Sequence, residues 1–209
     1  MYDDLMDDTN NQTLAGYNKS VSKYIETSPQ TVDGDLKAWI DRNLSKIQLS
    51  AKILEIGSGT GKDADYFASR GYAMELTDAS QGFVDHLVAN GKKARLLNAI
   101  TDDLGVGYDM VFADAVFLHF TRQQLKDVLK KVYAALKPNG RIAFSLKAGT
   151  GEEITERKLD VPRYFCFWEA KDITGLLMGT GFKDVEITII DDYRGKGRPD
   201  WLLIDAVKV

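Results

Sequence analysis

What most constrains the fold is a regular alternation of short apolar runs and amphipathic stretches through the middle of the chain, with a glycine-rich loop after the first run. Residues 52–56 read as a strand and lead directly into Gly57-Ser58-Gly59-Thr60-Gly61. Residues 63–70 follow as a helix with Ala64, Phe67 and Ala68 on one face, and Gly71 stands where helix C-termini favour glycine. Strands are expected over 73–77, 94–97, 109–113 and 141–146, with helices over 80–90 and 122–136. The run Met110-Val111-Phe112 is apolar throughout, as in strands buried on both faces of a parallel sheet. Lys137-Pro138-Asn139-Gly140 has the chemistry of a turn.

The flanks differ. Residues 17–26 and 35–49 carry apolar residues at helical spacing, 148–168 reads as a long irregular connection, and 169–179 as a helix. Strands over 185–190 and 201–207 are joined by a polar segment with no helix, which predicts a hairpin and an antiparallel edge. The expectation is an α/β fold: a doubly wound, mostly parallel seven-stranded sheet with an antiparallel C-terminal hairpin. Asp3, Asp4, Asp7 and Asp8 suggest a disordered acidic tail over 1–13, leaving 14–209 as a single domain.

Composition narrows the function. A net charge of −4 argues against broad nucleic-acid binding, which needs a basic footprint. Cys166 is the only cysteine, and His86 and His119 the only histidines, so a four-ligand Cys/His metal site is not expected. With no apolar stretch long enough for a membrane span and no secretory signal, the expected location is cytoplasmic.

In doubly wound sheets ligands sit at the carboxyl ends of the strands. The glycine loop, Asp78, Asn98 and Asp114 all fall at such ends. Alternating glycines let the backbone turn sharply against a ligand, and a carboxylate at Asp78, 17 residues beyond Gly61, can accept both hydroxyls of a ribose. Together they predict an adenosine-type ligand. The spacing is Gly-x-Gly-x-Gly, with Lys62 where a dinucleotide fingerprint has its third glycine. Glu55 would repel a pyrophosphate but tolerate a cationic amino-acid group.

Ile53-Leu54-Glu55-Ile56-Gly57-Ser58-Gly59-Thr60-Gly61 followed by Asp78 closely resembles the first two motifs of the class I S-adenosylmethionine-dependent methyltransferases. The resemblance continues through Tyr108-Asp109-Met110-Val111-Phe112-Ala113 and Leu136-Lys137-Pro138-Asn139-Gly140-Arg141. It implies that Glu55, Gly57, Ser58, Gly59 and Gly61 lie at the methionine end of the cofactor. Asp78 would hold the ribose, Ala79 would lie beside the adenine, and Asn98 and Ala99 would meet the adenine edge. Ala113 and Asp114 would sit near the transferred methyl group, with Tyr17 closing over the cofactor.

His119 is the best-placed candidate for a catalytic base and Asp114 the second, each with a packing or capping role as the alternative. Arg163, Tyr164, Phe165 and Trp168 stand where the family places substrate contacts, and would either wall a pocket for a small acceptor or form core under a long loop. Arg194, Lys196 and Arg198 make the hairpin loop basic. The leading expectation is a methyltransferase of small molecules that converts S-adenosylmethionine to S-adenosylhomocysteine. The alternatives are a non-catalytic S-adenosylmethionine-binding protein and a nicotinamide-dependent oxidoreductase.

Overall fold

The computed structural model describes residues 2–192 and 199–209, with side chains from residue 9 onward. Arg194, Lys196 and Arg198 lie outside the described residues. β1 (Ile53–Ile56) is an inner strand of the sheet. It pairs in parallel with β2 (Met74–Asp78) on one side and β4 (Tyr108–Ala113) on the other. β3 (Ala94–Leu96) extends the sheet beyond β2, and β5 (Leu136–Ala148) pairs in parallel with β4. The antiparallel strands β9 (Trp201–Lys208) and β8 (Phe182–Ile190) complete the other edge. These are the seven expected strands, in the order β3-β2-β1-β4-β5-β9-β8.

Two further strands were not expected. β6 (Glu152–Thr155) and β7 (Arg163–Trp168) form an antiparallel arm inside the segment read as irregular. β7 joins the sheet in parallel at the far end of β5, through Lys147–Phe167 and Ala148–Trp168. The run from Tyr164 to Trp168 is aromatic or cysteine at every position, so it lacks the two-residue alternation that marks a half-exposed strand. The turn chemistry at 137–140 is real but lies inside β5. Pairing jumps from Tyr108–Leu136 to Met110–Arg141, with Asn139 at φ 62°.

The parallel strands are covered on both faces because their side chains alternate between two cores. Leu54, Ile56, Val111, Ala113, Ile142 and Phe144 face one side, packing with α6 (Arg122–Ala135) and α7 (Ala170–Thr180). Ile53, Met110, Phe112 and Ala143 face the other, with Trp39 and Ile40 of α3 (Gly34–Leu44) and Phe67 of α4 (Lys62–Ser69). Each buried Val, Leu, Ile, Met or Phe among them contributes roughly 1.5–3 kcal/mol by leaving water. Asp205 on β9 is wholly buried, and Arg42, Lys46 and Arg141 surround its carboxylate at 3.0–3.3 Å.

The N-terminus departs from the tail expected over 1–13. α1 (Tyr2–Lys19) runs through it, followed by α2 (Val21–Thr27). Asn10 and Thr13 are buried, and the Thr13 hydroxyl accepts a hydrogen bond from the Tyr164 amide at 3.1 Å. Four aspartates suggest a solvated tail, but the apolar and small residues of 10–17 have a surface to dock on, which local composition does not reveal. Asn18, near the end of α1, accepts from the Ser80 hydroxyl at 2.6 Å, next to α5 (Gln81–Ala89). The N-terminal helix thus touches both the β2 side and the β7 side of the cleft. Among the described residues, no helix is long and apolar enough to cross a membrane.

Candidate functional site

The glycine loop carries the chain from β1 to α4. Gly57 and Ser58 donate their amides to the Thr77 carbonyl, both at 2.8 Å, which ties the loop to the end of β2. Gly57 has φ 75°, and a Cβ there would overlap the Val116 side chain. Only glycine lets the loop pass so close to the turn after β4.

Asp78 ends β2 directly beside this loop. One carboxylate oxygen accepts from the Gly59 amide at 2.9 Å, the other from the Ser80 amide at 2.8 Å. The residue is 8% exposed, and no cation among the described residues pairs with it. Burial raises its pKa to about 6, against the lowering effect of the amides of Ser80, Gly59 and Ala79. A cavity of about 100 Å³ opens next to it, between Ala79, Phe83, Leu97, Asn98 and Ala99 on the sheet side and Thr13, Leu14 and Tyr17 of α1. An apolar slot ending at an uncountered carboxylate suits a flat base joined to a sugar diol. The Asn98 side-chain oxygen already accepts from the Ile100 amide at 3.1 Å, so Asn98 shapes its own turn as well as the cavity wall.

Between β1 and β4 lies a dense charge cluster. Lys62 meets Asp63 at 2.6 Å and Asp114 at 3.0 Å. Burial works against the Lys62 ammonium, but Asp114 and Asp63 outweigh it and raise its pKa. The other Asp114 oxygen accepts from the buried Ser145 hydroxyl at 2.7 Å. Glu55 is buried with Oε2 lacking a hydrogen-bond partner, and burial together with the nearby Asp63 charge raises its pKa. Lys62 and Asp63 were not among the expected site residues. Their position at the start of α4, just after the last loop glycine, was the signal available. Ala113, fully buried, and the intervening Ser58, whose hydroxyl accepts from the Thr77 amide at 3.2 Å, fix the backbone on either side of the cluster.

His119 ends the 3-10 turn Phe117–His119 and is buried at the edge of the cavities. Its Nδ1 is 2.7 Å from the Tyr164 carbonyl, which can only accept, so Nδ1 carries the proton. Nε2 therefore accepts from the Tyr17 hydroxyl at 2.7 Å. Burial drives the His119 pKa down to about 3 despite the bond to Tyr164, and the Arg163 charge lowers it further. Burial also raises the Tyr17 pKa. Tyr17, Tyr24 and Phe83 form an aromatic cluster with centroids 5.3–6.1 Å apart.

A second cavity of about 550 Å³ adjoins the first and shares Tyr17, Tyr24, Gly57, Gly59, Asp114 and His119 with it. β7 supplies one wall, and the alternation of its side chains divides the expected acceptor residues. Arg163 and Phe165 line this cavity together with Phe167, which was not anticipated. Tyr164 and Trp168 point to the opposite face of the arm, into a separate groove with Arg122 and Lys171. The Arg122 guanidinium lies 4.2 Å from the Trp168 ring. A strand sends successive side chains to opposite faces, so the four residues cannot share one wall. Lys147, at the end of β5, faces the same cavity and is held by Asp192 at 2.6 Å.

A family model described as a methyltransferase domain matches residues 30–187. A search by sequence among curated proteins finds no match. Solved structures do resemble the chain. An S-adenosylmethionine-dependent methyltransferase from Methanosarcina mazei is 17% identical, with a TM-score of 0.67 over 80% of this chain and 97% of the other. The 1,6-didemethyltoxoflavin N1-methyltransferase of Burkholderia thailandensis, solved with 1,6-didemethyltoxoflavin and S-adenosylhomocysteine, is 20% identical, with a TM-score of 0.64 over 83% and 76%. Phosphoethanolamine N-methyltransferase 2 of Haemonchus contortus, solved with S-adenosylmethionine, is 14% identical, with a TM-score of 0.72 over 91% of this chain and 57% of that one. The chain belongs to the methyltransferase-domain family and has the fold of the class I S-adenosylmethionine-dependent methyltransferases.

Proposed function

We propose that the chain transfers a methyl group from S-adenosylmethionine to a small-molecule acceptor. The observation that carries this reading is Asp78: a buried carboxylate with no counter-cation among the described residues, held by the Gly59 and Ser80 amides at the end of an apolar slot. The residues present fit the cofactor. Asp78 would take the ribose diol, with Ala79, Leu97 and Ala99 around the adenine. The loop from Gly57 to Thr60 and Asp114 would receive the cationic methionine end; Glu55 is buried behind the loop and lines neither cavity. When bound, the cofactor supplies a methyl group on a sulfonium: the acceptor lone pair bonds to carbon as the carbon–sulfur bond breaks, and sulfur keeps the electron pair as a neutral thioether.

The chain's own part is positioning and proton handling. Tyr17 lines both cavities, so it would stand between the cofactor and the acceptor. His119, neutral and fixed by Tyr164, lies behind it as the proton acceptor of that hydroxyl. Asp114 is ion-paired to Lys62, which makes it an anchor for cationic groups rather than a free base.

The test is thermal unfolding with S-adenosylmethionine, S-adenosylhomocysteine or NAD at about 100 times the dissociation constant, which adds about 2.7 kcal/mol. For a chain of this size that raises the midpoint by roughly 5–10 °C. A shift with both sulfur ligands, absent with NAD and lost in Asp78→Ala, supports the reading and opens an acceptor screen by S-adenosylhomocysteine release. A shift with NAD alone overturns it.

A further inference from the structure

Three cations face the larger cavity from buried or nearly buried positions: Lys62, Lys147 and Arg163. Two of them have carboxylate partners, Lys62 with Asp63 and Asp114, and Lys147 with Asp192. Arg163 has none among the described residues. It is 5% exposed, and its neighbours are neutral: the Tyr17 hydroxyl oxygen at 3.5 Å from Nη1, and the Arg157 carbonyl accepting from Nη2. Its Nε is buried with no hydrogen-bond partner. The rings of Phe165 and Tyr17, with centroids 5.2 and 5.7 Å away, give it further uncharged company.

A guanidinium taken out of water without a counter-charge is destabilising unless something completes it. Its planar fork of donors matches a carboxylate or a phosphate. Arg163 lines the larger cavity and not the smaller slot beside Asp78. We infer that the methyl acceptor is an anion whose carboxylate or phosphate group is held by Arg163, beside the Tyr17 hydroxyl. This rests on the proposed methyltransferase reading, and it specifies the class of acceptor that reading leaves open. An anionic group on Arg163 supplies the counter-charge that this buried guanidinium lacks among the described residues, and sets the rest of the acceptor against Tyr17 and Phe165.

The experiment is isothermal titration of inorganic phosphate, acetate and the neutral isostere acetamide into the protein, free and saturated with S-adenosylhomocysteine. Wild type is compared with Arg163→Gln and the charge-retaining Arg163→Lys. Saturable 1:1 binding of phosphate or acetate but not acetamide, weakened at least tenfold in Arg163→Gln and partly restored in Arg163→Lys, is the expected result. S-adenosylhomocysteine affinity should change less than threefold, which also shows that the variants fold. Absence of saturable anion binding in wild type, or equal binding in Arg163→Gln, overturns the inference. So does a tenfold loss of S-adenosylhomocysteine affinity in Arg163→Gln, because Arg163 then holds the cofactor's own carboxylate. If phosphate binds through Arg163 while neither sulfur ligand binds at all, the anion site stands and the methyltransferase reading fails.

Discussion

The hydroxyl of Tyr17 and Nε2 of His119 lie 2.7 Å apart, joining the N-terminal helix to the turn after β4 across 102 residues of sequence. Since Nδ1 of His119 is committed to the Tyr164 carbonyl, this bond has one direction only, from tyrosine to histidine. Tyr17→Phe would leave Nε2 buried and unsatisfied. The expected cost is about 1–2 kcal/mol, seen as a fall of roughly 2–8 °C in the unfolding midpoint. An unchanged midpoint would show that the bond contributes nothing to holding α1 in place.

If Asp78 holds the cofactor's ribose as proposed, it gives cofactor binding a pH dependence. Its pKa in the free protein is about 6, raised by burial, and ribose hydroxyls need the ionised form as acceptor. Affinity for S-adenosylhomocysteine should be level above pH 7 and fall as pH drops through about 6. At pH 5 it should be about tenfold weaker than at pH 8, because only about a tenth of the carboxylate is then ionised. The sign for stability is opposite to that of an ion-paired aspartate. A folded value above the unfolded one favours the native state at low pH, and that contribution is lost as pH rises through about 6. Calorimetric titrations at several pH values, with Asp78→Asn as the flat reference, check both statements.

Two glycines in left-handed conformations should respond very differently to alanine. Gly91 has φ 76° with open space where a Cβ would stand, so Gly91→Ala should cost about 1 kcal/mol of backbone strain alone. Gly57→Ala adds overlap with Val116 and should cost about 3 kcal/mol or more. Removing the obstructing methyl groups in Gly57→Ala/Val116→Ala should recover part of the loss. Urea unfolding of the three variants would settle the comparison, and equal losses would contradict it.

Asp205 binds Arg42, Lys46 and Arg141 from a fully buried position, while Glu186 meets Arg42 and Lys46 at the surface. Asp205→Ala leaves the largely buried Arg141 uncountered and should cost about 3–5 kcal/mol. Glu186→Gln should stay within about 1 kcal/mol of wild type. Denaturant midpoints of the two variants distinguish a buried hub from exposed pairing.

The parallel half of the sheet was readable because its signals are local. Met110-Val111-Phe112 is apolar on both faces, and the glycines of the loop follow β1 without a gap. Asp78 could be placed for the same reason: it ends a strand at a fixed distance from the loop. The arm was not readable, since β6 and β7 take their register from each other and from the end of β5, not from an alternation in their own residues. That is why Tyr164 and Trp168 were grouped with Arg163 and Phe165, and why Phe167 was passed over. The role of α1 was hidden in the same way. Nothing in its acidic start reveals that Thr13 and Tyr17 will find β7 and His119.

The arm touches the main sheet in register at two places only, Lys147 with Phe167 and Ala148 with Trp168. The smaller cavity is lined from the ends of β1 and β2 and the loop between β1 and α4, where a methyl group added at Gly57 meets the Val116 side chain. The arm is itself divided: Tyr164, Cys166 and Trp168 belong to the main core, while no residue of 152–158 is buried. Mutational libraries confined to residues 152–158 should yield folded proteins with altered acceptor preference far more often than libraries of the same size in residues 53–61, which makes this stretch the natural place for the scaffold to acquire new chemistry.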